Sequence, residues 1–251
     1  MRIRLVNPNT TASMTAAVQQ CAEKVAGPQT IVEAVTATMG PASIESHYDE
    51  ALAVPGLLAE IARGEAEGVD GYVVACFGDP GLYAARELAC GPVVGIAEAA
   101  MRTASHLGRG FSVVTTLGRS VGQTWDLADR YGMRRFCRGV HPTGIPVLGL
   151  EDPAVRSEIA AACRAAAAAD DSDAIVLGCA GMADFCAYLT AECGMPVVDG
   201  VVAATLAVQS LVTMGLRKSG RGEFARPPAK EYTGLLSDYA LTEPGVEGDR
   251  R

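Results

Sequence analysis

The sequence predicts an α/β fold of two pseudo-symmetric halves, each a parallel sheet flanked by helices, with a ligand site in the cleft between them. Two observations carry this. One stretch occurs twice, as Asp70-Gly71-Tyr72-Val73-Val74-Ala75-Cys76 and as Asp173-Ala174-Ile175-Val176-Leu177-Gly178-Cys179. Each copy is a turn residue, an unalternating apolar run, a cysteine and then a glycine-containing break. That pattern marks a strand buried on both faces of a parallel sheet. The likeness also continues downstream, where Gly91-Pro92-Val93-Val94-Gly95 answers Gly194-Met195-Pro196-Val197-Val198-Asp199. The two cysteines are about 100 residues apart, the length of one small domain. Each falls at the carboxyl end of a central strand, where open α/β sheets bind ligands.

In chain order, residues 3–6 read as the first strand. Asn7-Pro8-Asn9-Thr10-Thr11 turns the chain, with Thr10 or Thr11 capping a helix that runs to about Val25. Residues 30–36, rich in β-branched side chains, are a second strand. A long loop through Ser43-Ile44-Glu45 feeds a helix over 47–64 that continues past Pro55. The Cys76 strand, a helix over 82–88 and a strand over 93–96 complete a βαβαβαβ half. The second half opens with a helix over 97–107, followed by a strand at 111–115, a helix at 123–131 and a strand near 136–140. Ile145 to Leu148 reads as a further short strand. An alanine-rich helix over 154–169 precedes the Cys179 strand, and a helix at 185–192 and a strand at Val197-Val198 follow it. The helix over 201–216 is left over and is expected to pack back on the first half. The expected domains are therefore 1–96 plus about 201–251, and 97–200. Past Gly220 the chain is polar, with Pro227-Pro228 and a charged end, and is expected to lie on the surface or fray.

Composition narrows the function. With 251 residues and 49% apolar content the chain buries a sizeable core. A net charge of −8 argues against nucleic acid or an anionic membrane as partner. The longest apolar stretch, over 200–216, is broken by Thr205, Gln209, Ser210 and Thr213, so no membrane span is expected. The strand-like start predicts no secretory signal, and eight cysteines then read as free thiols of a cytoplasmic protein. No metal is expected: there is no Cys-x-x-Cys or His-Glu-x-x-His, and His47, His106 and His141 are scattered.

A cysteine after an apolar run is ordinarily a small buried hydrophobe, and Cys21, Cys90, Cys137, Cys163, Cys186 and Cys193 fit that or a plain surface role. Cys76 and Cys179 differ in position. Each sits where a buried strand meets a glycine turn, and amides of Phe77-Gly78 and Ala180-Gly181 are expected to favour thiolate and to hold a negative oxygen. Two thiols facing each other across a cleft suit inversion of a carbon acid, one removing a proton from one face and the other returning one to the opposite face. With reacting atoms at near-attack distance on each side, the sulfurs would stand about 6–7 Å apart around bound substrate.

Asn7-Pro8-Asn9-Thr10, the run from Ala75 to Leu82 and the run from Leu177 to Met182 resemble the hydantoin and allantoin racemases of the Asp/Glu racemase superfamily. The likeness extends to a Pro-x-x-Lys-x-Tyr ending at Pro227, Lys230 and Tyr232. The resemblance implies a racemase that uses no cofactor, an Asp/Glu racemase-like fold, assembly as a homo-oligomer, and a small-molecule substrate with a hydantoin-type ring. It maps the catalytic thiols onto Cys76 and Cys179. Glutamate and aspartate racemases of the superfamily carry hydroxyl or amide residues after their cysteines. Phe77-Gly78 and Ala180-Gly181 here argue against an acidic amino acid as substrate. Asn9 matches the family's Asn-Pro-Asn motif and either contacts substrate or forms the turn and cap. Thr115 and Thr116 either donate hydroxyls into the cleft or cap the next helix, and Ser43 either closes over substrate or belongs to a plain surface loop. Two other readings stay open: another superfamily activity such as an amino-acid racemase, and a non-catalytic two-domain binding protein.

Overall fold

Short, fully apolar strands need cover on both faces, and the chain supplies it by following each strand with a helix. The computed structural model describes residues 1–241. The first half runs β1 (Arg2–Asn7), α1 (Ala12–Glu23), β2 (Ile31–Thr36), α2 (His47–Ala66), β3 (Gly71–Val74), α3 (Leu82–Leu88) and β4 (Val93–Gly95). A connecting helix, α4 (Ile96–Ala104), leads to the second half. That half runs β5 (Phe111–Thr115), α5 (Val121–Arg130), β6 (Cys137–Pro142), α6 (Val155–Asp170), β7 (Ala174–Leu177), α7 (Cys186–Cys193) and β8 (Val197–Val198). Helix α8 (Gly200–Thr213) follows.

The two sheets have one topology, β2-β1-β3-β4 and β6-β5-β7-β8, with every pair parallel. The strand order reverses direction between β1 and β3 and again between β5 and β7, the places where such sheets open a crevice. Every residue of β3 and of β7 is buried, as the two continuous apolar runs predict.

The connecting helices cross over. Helix α8 packs on β1, β3, β4 and α1, whereas α4 packs on β7, β8 and α5, and the two helices pack on each other. Each sheet is thus covered partly by a helix that leaves the other half. The main buried core accordingly runs through both, from Ile3, Leu5 and Val73 to Phe111, Val113 and Val176. A second cluster, with Ile159, Cys163, Ile175 and Leu189, lies between α6, α7 and β7.

The structure departs from the sequence expectations at few places. Ile145 to Leu148 form no strand. Pro146 has no N–H to give a ladder, and the chain instead coils into a 3-10 turn at Val147–Glu151 beside edge strand β6. Helix α8 stops at Thr213 and not near Leu216, because Gly215 takes the left-handed conformation that ends helices. The polar tail is tied down at Tyr239, whose hydroxyl donates to the Pro55 carbonyl of α2 at 2.8 Å. The charged end, 242–251, lies outside the described residues. Among the described residues no helix is long and apolar enough to cross a membrane.

Gly200 marks the tightest point of the crossover. A Cβ there would stand 2.5 Å from the Ile96 carbonyl oxygen at the start of α4. Gly200→Val is therefore expected to destabilise the fold by about 1–3 kcal/mol, the usual range for overpacking. Urea unfolding measures it, and an unchanged midpoint would contradict the close approach.

Candidate active site

Each cysteine is the first side chain set free by its sheet. Ala75 N–H still bonds the Val6 carbonyl at 2.9 Å, after which Cys76 opens a turn whose Asp79 N–H donates back to the Cys76 carbonyl at 2.9 Å. In the second half Gly178 N–H bonds the Val114 carbonyl at 2.8 Å, and Met182 N–H donates to the Cys179 carbonyl at 3.1 Å. That bond opens the 3-10 turn Ala180–Phe185. The Gly78 amide favours the Cys76 thiolate, and the Gly181 amide the Cys179 thiolate.

Both sulfurs line one small cavity between the halves, with about 50 Å³ of space for water-sized molecules. Asn9, Phe77, Gly78, Thr115, Thr116 and Ala180 line it as well. Ser43 and Gly181 do not. Ile44 reaches the cavity from the Ser43 loop, while Gly181 stands behind Cys179 and borders an adjoining pocket. The side-chain oxygen of Asn9 accepts from Asn7 Nδ2 at 2.9 Å and from Thr11 N–H at 3.0 Å, so it shapes the start of α1. Its amide nitrogen meets only the Met14 sulfur, at 3.4 Å, and is the part left to face a ligand. Thr115 Oγ1 points to the Gly178 carbonyl at 3.4 Å and steadies the exit of β7.

Sequence reasoning missed the side chains that close the cavity: Met14, Glu50, Gln123, Thr124, Leu127 and Val147. Met14, Glu50 and Gln123 lie in the first turns of helices, where amphipathic patterning marks a buried face but not what it is buried against. Ile44, the β-branched apolar side chain of the loop between β2 and α2, was the one visible signal.

The electrostatics reverse one expectation. Burial pushes Cys179 up to about 11 against the opposing Gly181 amide, with Glu45 adding to the rise. Burial raises Cys76 further, despite the Gly78 amide, and Glu50, Cys179 and Asp79 all push the same way. Helices α3 and α7 begin at Leu82 and Cys186, too far along the chain to bring their positive ends to the thiols. One amide apiece does not offset the loss of water.

Asp79 binds the two halves together. It sits at φ 45, in the left-handed region, within the Cys76 turn. Its buried carboxylate accepts from Ala97 N–H at 3.1 Å, Glu98 N–H at 3.0 Å and the Tyr131 hydroxyl at 2.6 Å. The carboxylate therefore caps α4 from a distance, in the place where Gly95 has no side chain; a Cβ on Gly95 would collide with it. At the equivalent point of the second half Asp199 caps α8 directly, through Val201 and Val202. Desolvation pushes Asp79 up to about 7, opposed by its three donors.

Asp79→Asn keeps the shape but turns an N–H₂ toward a donor, so a loss of about 1–3 kcal/mol is expected in a melt near pH 8. The sign of the pH effect follows from the raised acid. Its folded pKa of about 7 lies above the ordinary 3.8, so its contribution is full below that ordinary value and declines as pH rises to 7. The deficit of the variant should therefore widen toward acid, where the native side chain is a neutral acid that still accepts. A deficit that vanishes at pH 5 would contradict this.

Two parallel-sheet halves of one topology, closed on a cleft with a thiol from each, have the architecture of racemase-type isomerases. The chain belongs to the Asp/Glu/Hydantoin racemase family, whose model matches residues 3–208. It is 45% identical over 245 residues to a hydantoin racemase of Pseudomonas sp. (strain NS671), covering 97% of this chain and 98% of that one. It is 49% identical over 236 residues to a hydantoin racemase of Rhizobium meliloti, covering 93% and 98%. The solved allantoin racemase of Klebsiella pneumoniae superposes with a TM-score of 0.94 at 45% identity, over 96% of this chain and 100% of that one. The protein is accordingly an isomerase, a racemase.

Proposed function

We propose that the protein inverts the C5 stereocentre of 5-substituted hydantoins, allantoin among them, with Cys76 and Cys179 as base and acid on opposite faces of the ring. The observation that carries this is the meeting of two thiols, from equivalent strand ends, in one small cavity. A thiolate on one side takes the C5 proton. The C–H electron pair moves into the ring as the C4 carbonyl becomes an enolate, and amides at Phe77 and Ala180 lie at hand to hold that oxygen. As the enolate collapses, the opposite thiol delivers its proton to the other face of C5. The thiolate has then changed sides, and proton exchange restores the start. The ring carbonyls already acidify the C–H, so the step calls for no cofactor.

The lining favours a neutral ring over a free amino acid. Among the described residues it contains no lysine or arginine to pair with a carboxylate, and Glu50 would repel one. Burying such a charge without a partner costs several kcal/mol. Polarimetry on single enantiomers of allantoin, a benzyl hydantoin and glutamate tests the reading: the rings should lose rotation, and racemisation of glutamate alone would sink it.

Cys76→Ala and Cys179→Ala should each fold and lose racemisation by about 10²–10⁴-fold, the worth of a positioned acid or base. Each is expected to retain exchange of the C5 proton with deuterated water for one enantiomer only, since the remaining thiolate abstracts and returns on one face. Either variant racemising at the native rate would remove the two-thiol mechanism.

The raised thiols set the pH dependence. Burial raises both thiols, Cys179 to about 11, so the thiolate is a minor form of either near neutrality. Between about pH 7 and 9 the thiolate fraction is small and grows tenfold per unit, so log kcat/KM should climb with a slope near one. A maximum at or below neutrality would contradict the burial argument.

A further inference from the structure

The stoppers at the two ends of the cleft differ in chemistry. On the Cys179 side, Met14 and Val147 separate the catalytic cavity from a pocket of about 270 Å³ bordered by Leu150 and Phe185 and by the charged Glu151, Arg156 and Asp184. On the Cys76 side, Glu50 and Gln123 separate it from a pocket of about 320 Å³ bordered by His47, Asp126 and Arg130. Met14 and Gln123 are both the third residue of the helix that follows the first strand of a half. Equivalent positions of the repeat thus hold an apolar stopper at one end and a polar one at the other.

The polar stopper is a bond between the halves. Gln123 Nε2, on α5, donates to Glu50 Oε1, on α2. Gly78 makes room for it, because a Cβ at that place in the Cys76 turn would collide with Glu50 Oε1. The second Glu50 oxygen has His47 Nδ1 at 3.9 Å, beyond hydrogen-bond reach. The pair therefore keeps capacity for a ligand: a carboxylate oxygen that accepts, and an amide that both donates and accepts. A carboxylate and an amide set at the rim of a small cavity between the halves cost desolvation that a ligand with matching groups returns.

We propose that Glu50 and Gln123 determine substrate specificity by holding a ureido-type C5 substituent, its N–H groups on the Glu50 carboxylate and its carbonyl on the Gln123 amide. The inference rests on the racemase reading above and extends it to the substituent. Parting of the Glu50–Gln123 bond joins the cavity to the outer pocket, which gives the substituent room that the catalytic cavity alone lacks. An aliphatic substituent offers the pair nothing and leaves two half-buried polar groups unmatched. The bias therefore favours allantoin over a hydantoin with an alkyl group of like length.

The test compares kcat/KM for allantoin and for an alkyl hydantoin of similar size in the native protein, in Gln123→Met and in Glu50→Gln. Each variant is read as the ratio of the two substrates, so a smaller folded fraction cancels. Gln123→Met copies the opposite end of the cleft and should lower the allantoin-to-alkyl ratio by about tenfold or more, the usual weight of a buried hydrogen bond to a ligand. Glu50→Gln should lower it too, chiefly through a higher KM for allantoin. An unchanged ratio in both variants would make the bridge a latch between halves and overturn the inference. Native protein that racemises the alkyl hydantoin and not allantoin would overturn it while leaving the racemase reading intact. Native protein that racemises neither would overturn both.

Discussion

The cleft depends on the buried carboxylate of Asp79. By chain it belongs to the first half, three residues past Cys76, yet all three of its side-chain donors come from beyond the first sheet. Its own N–H returns to the Cys76 carbonyl, so the turn that aims the Gly78 amide at the sulfur is fixed from both sides of the cleft at once. A single side chain in a left-handed conformation costs about 1–3 kcal/mol. Here the helix cap on α4 and the Tyr131 hydroxyl offset it.

Burial has a chemical consequence beyond stability. Burial raises both thiols, with Glu50, Cys179 and Asp79 adding to the rise of Cys76 and Glu45 to that of Cys179, so the resting site holds both protons. The thiolate population is small, but each thiolate is a correspondingly stronger base. In the proposed mechanism, removal of a carbon-bound proton would reward that basicity, and the opposite thiol would still be available as the acid. The arrangement trades occupancy of the reactive state for its strength.

Much of this was legible in the sequence because it is local. A strand buried on both faces must be apolar throughout, so β3 and β7, with their cysteines, could be read from composition alone. Pairing of the halves is not local, and what it determines was not legible. The first turns of α1 and α5 carry Met14 and Gln123 into the cavity, and the periodicity of those helices says nothing of a cleft. The direction of the thiol shifts was missed for the same reason: the amides are adjacent in sequence, whereas the side chains that exclude water come from distant parts of both halves. Asp79-Pro80-Gly81 announces a turn, but nothing in it announces that the carboxylate caps a helix that begins at Ile96.

The crossover of α4 and α8 ties the two strand ends that carry the thiols to one core. Each sheet buries one face partly under a helix from the other half, so neither half completes its core alone. Motion of one sulfur relative to the other would have to open a continuous close-packed core, which resists small displacements. The two halves are alike at the strand ends and the cysteine turns. They differ in the helical first turns at the ends of the cleft, where Met14 stands in one half and Gln123 in the other. On the reading proposed above, that difference bears on recognition of the substituent and not on the two thiols.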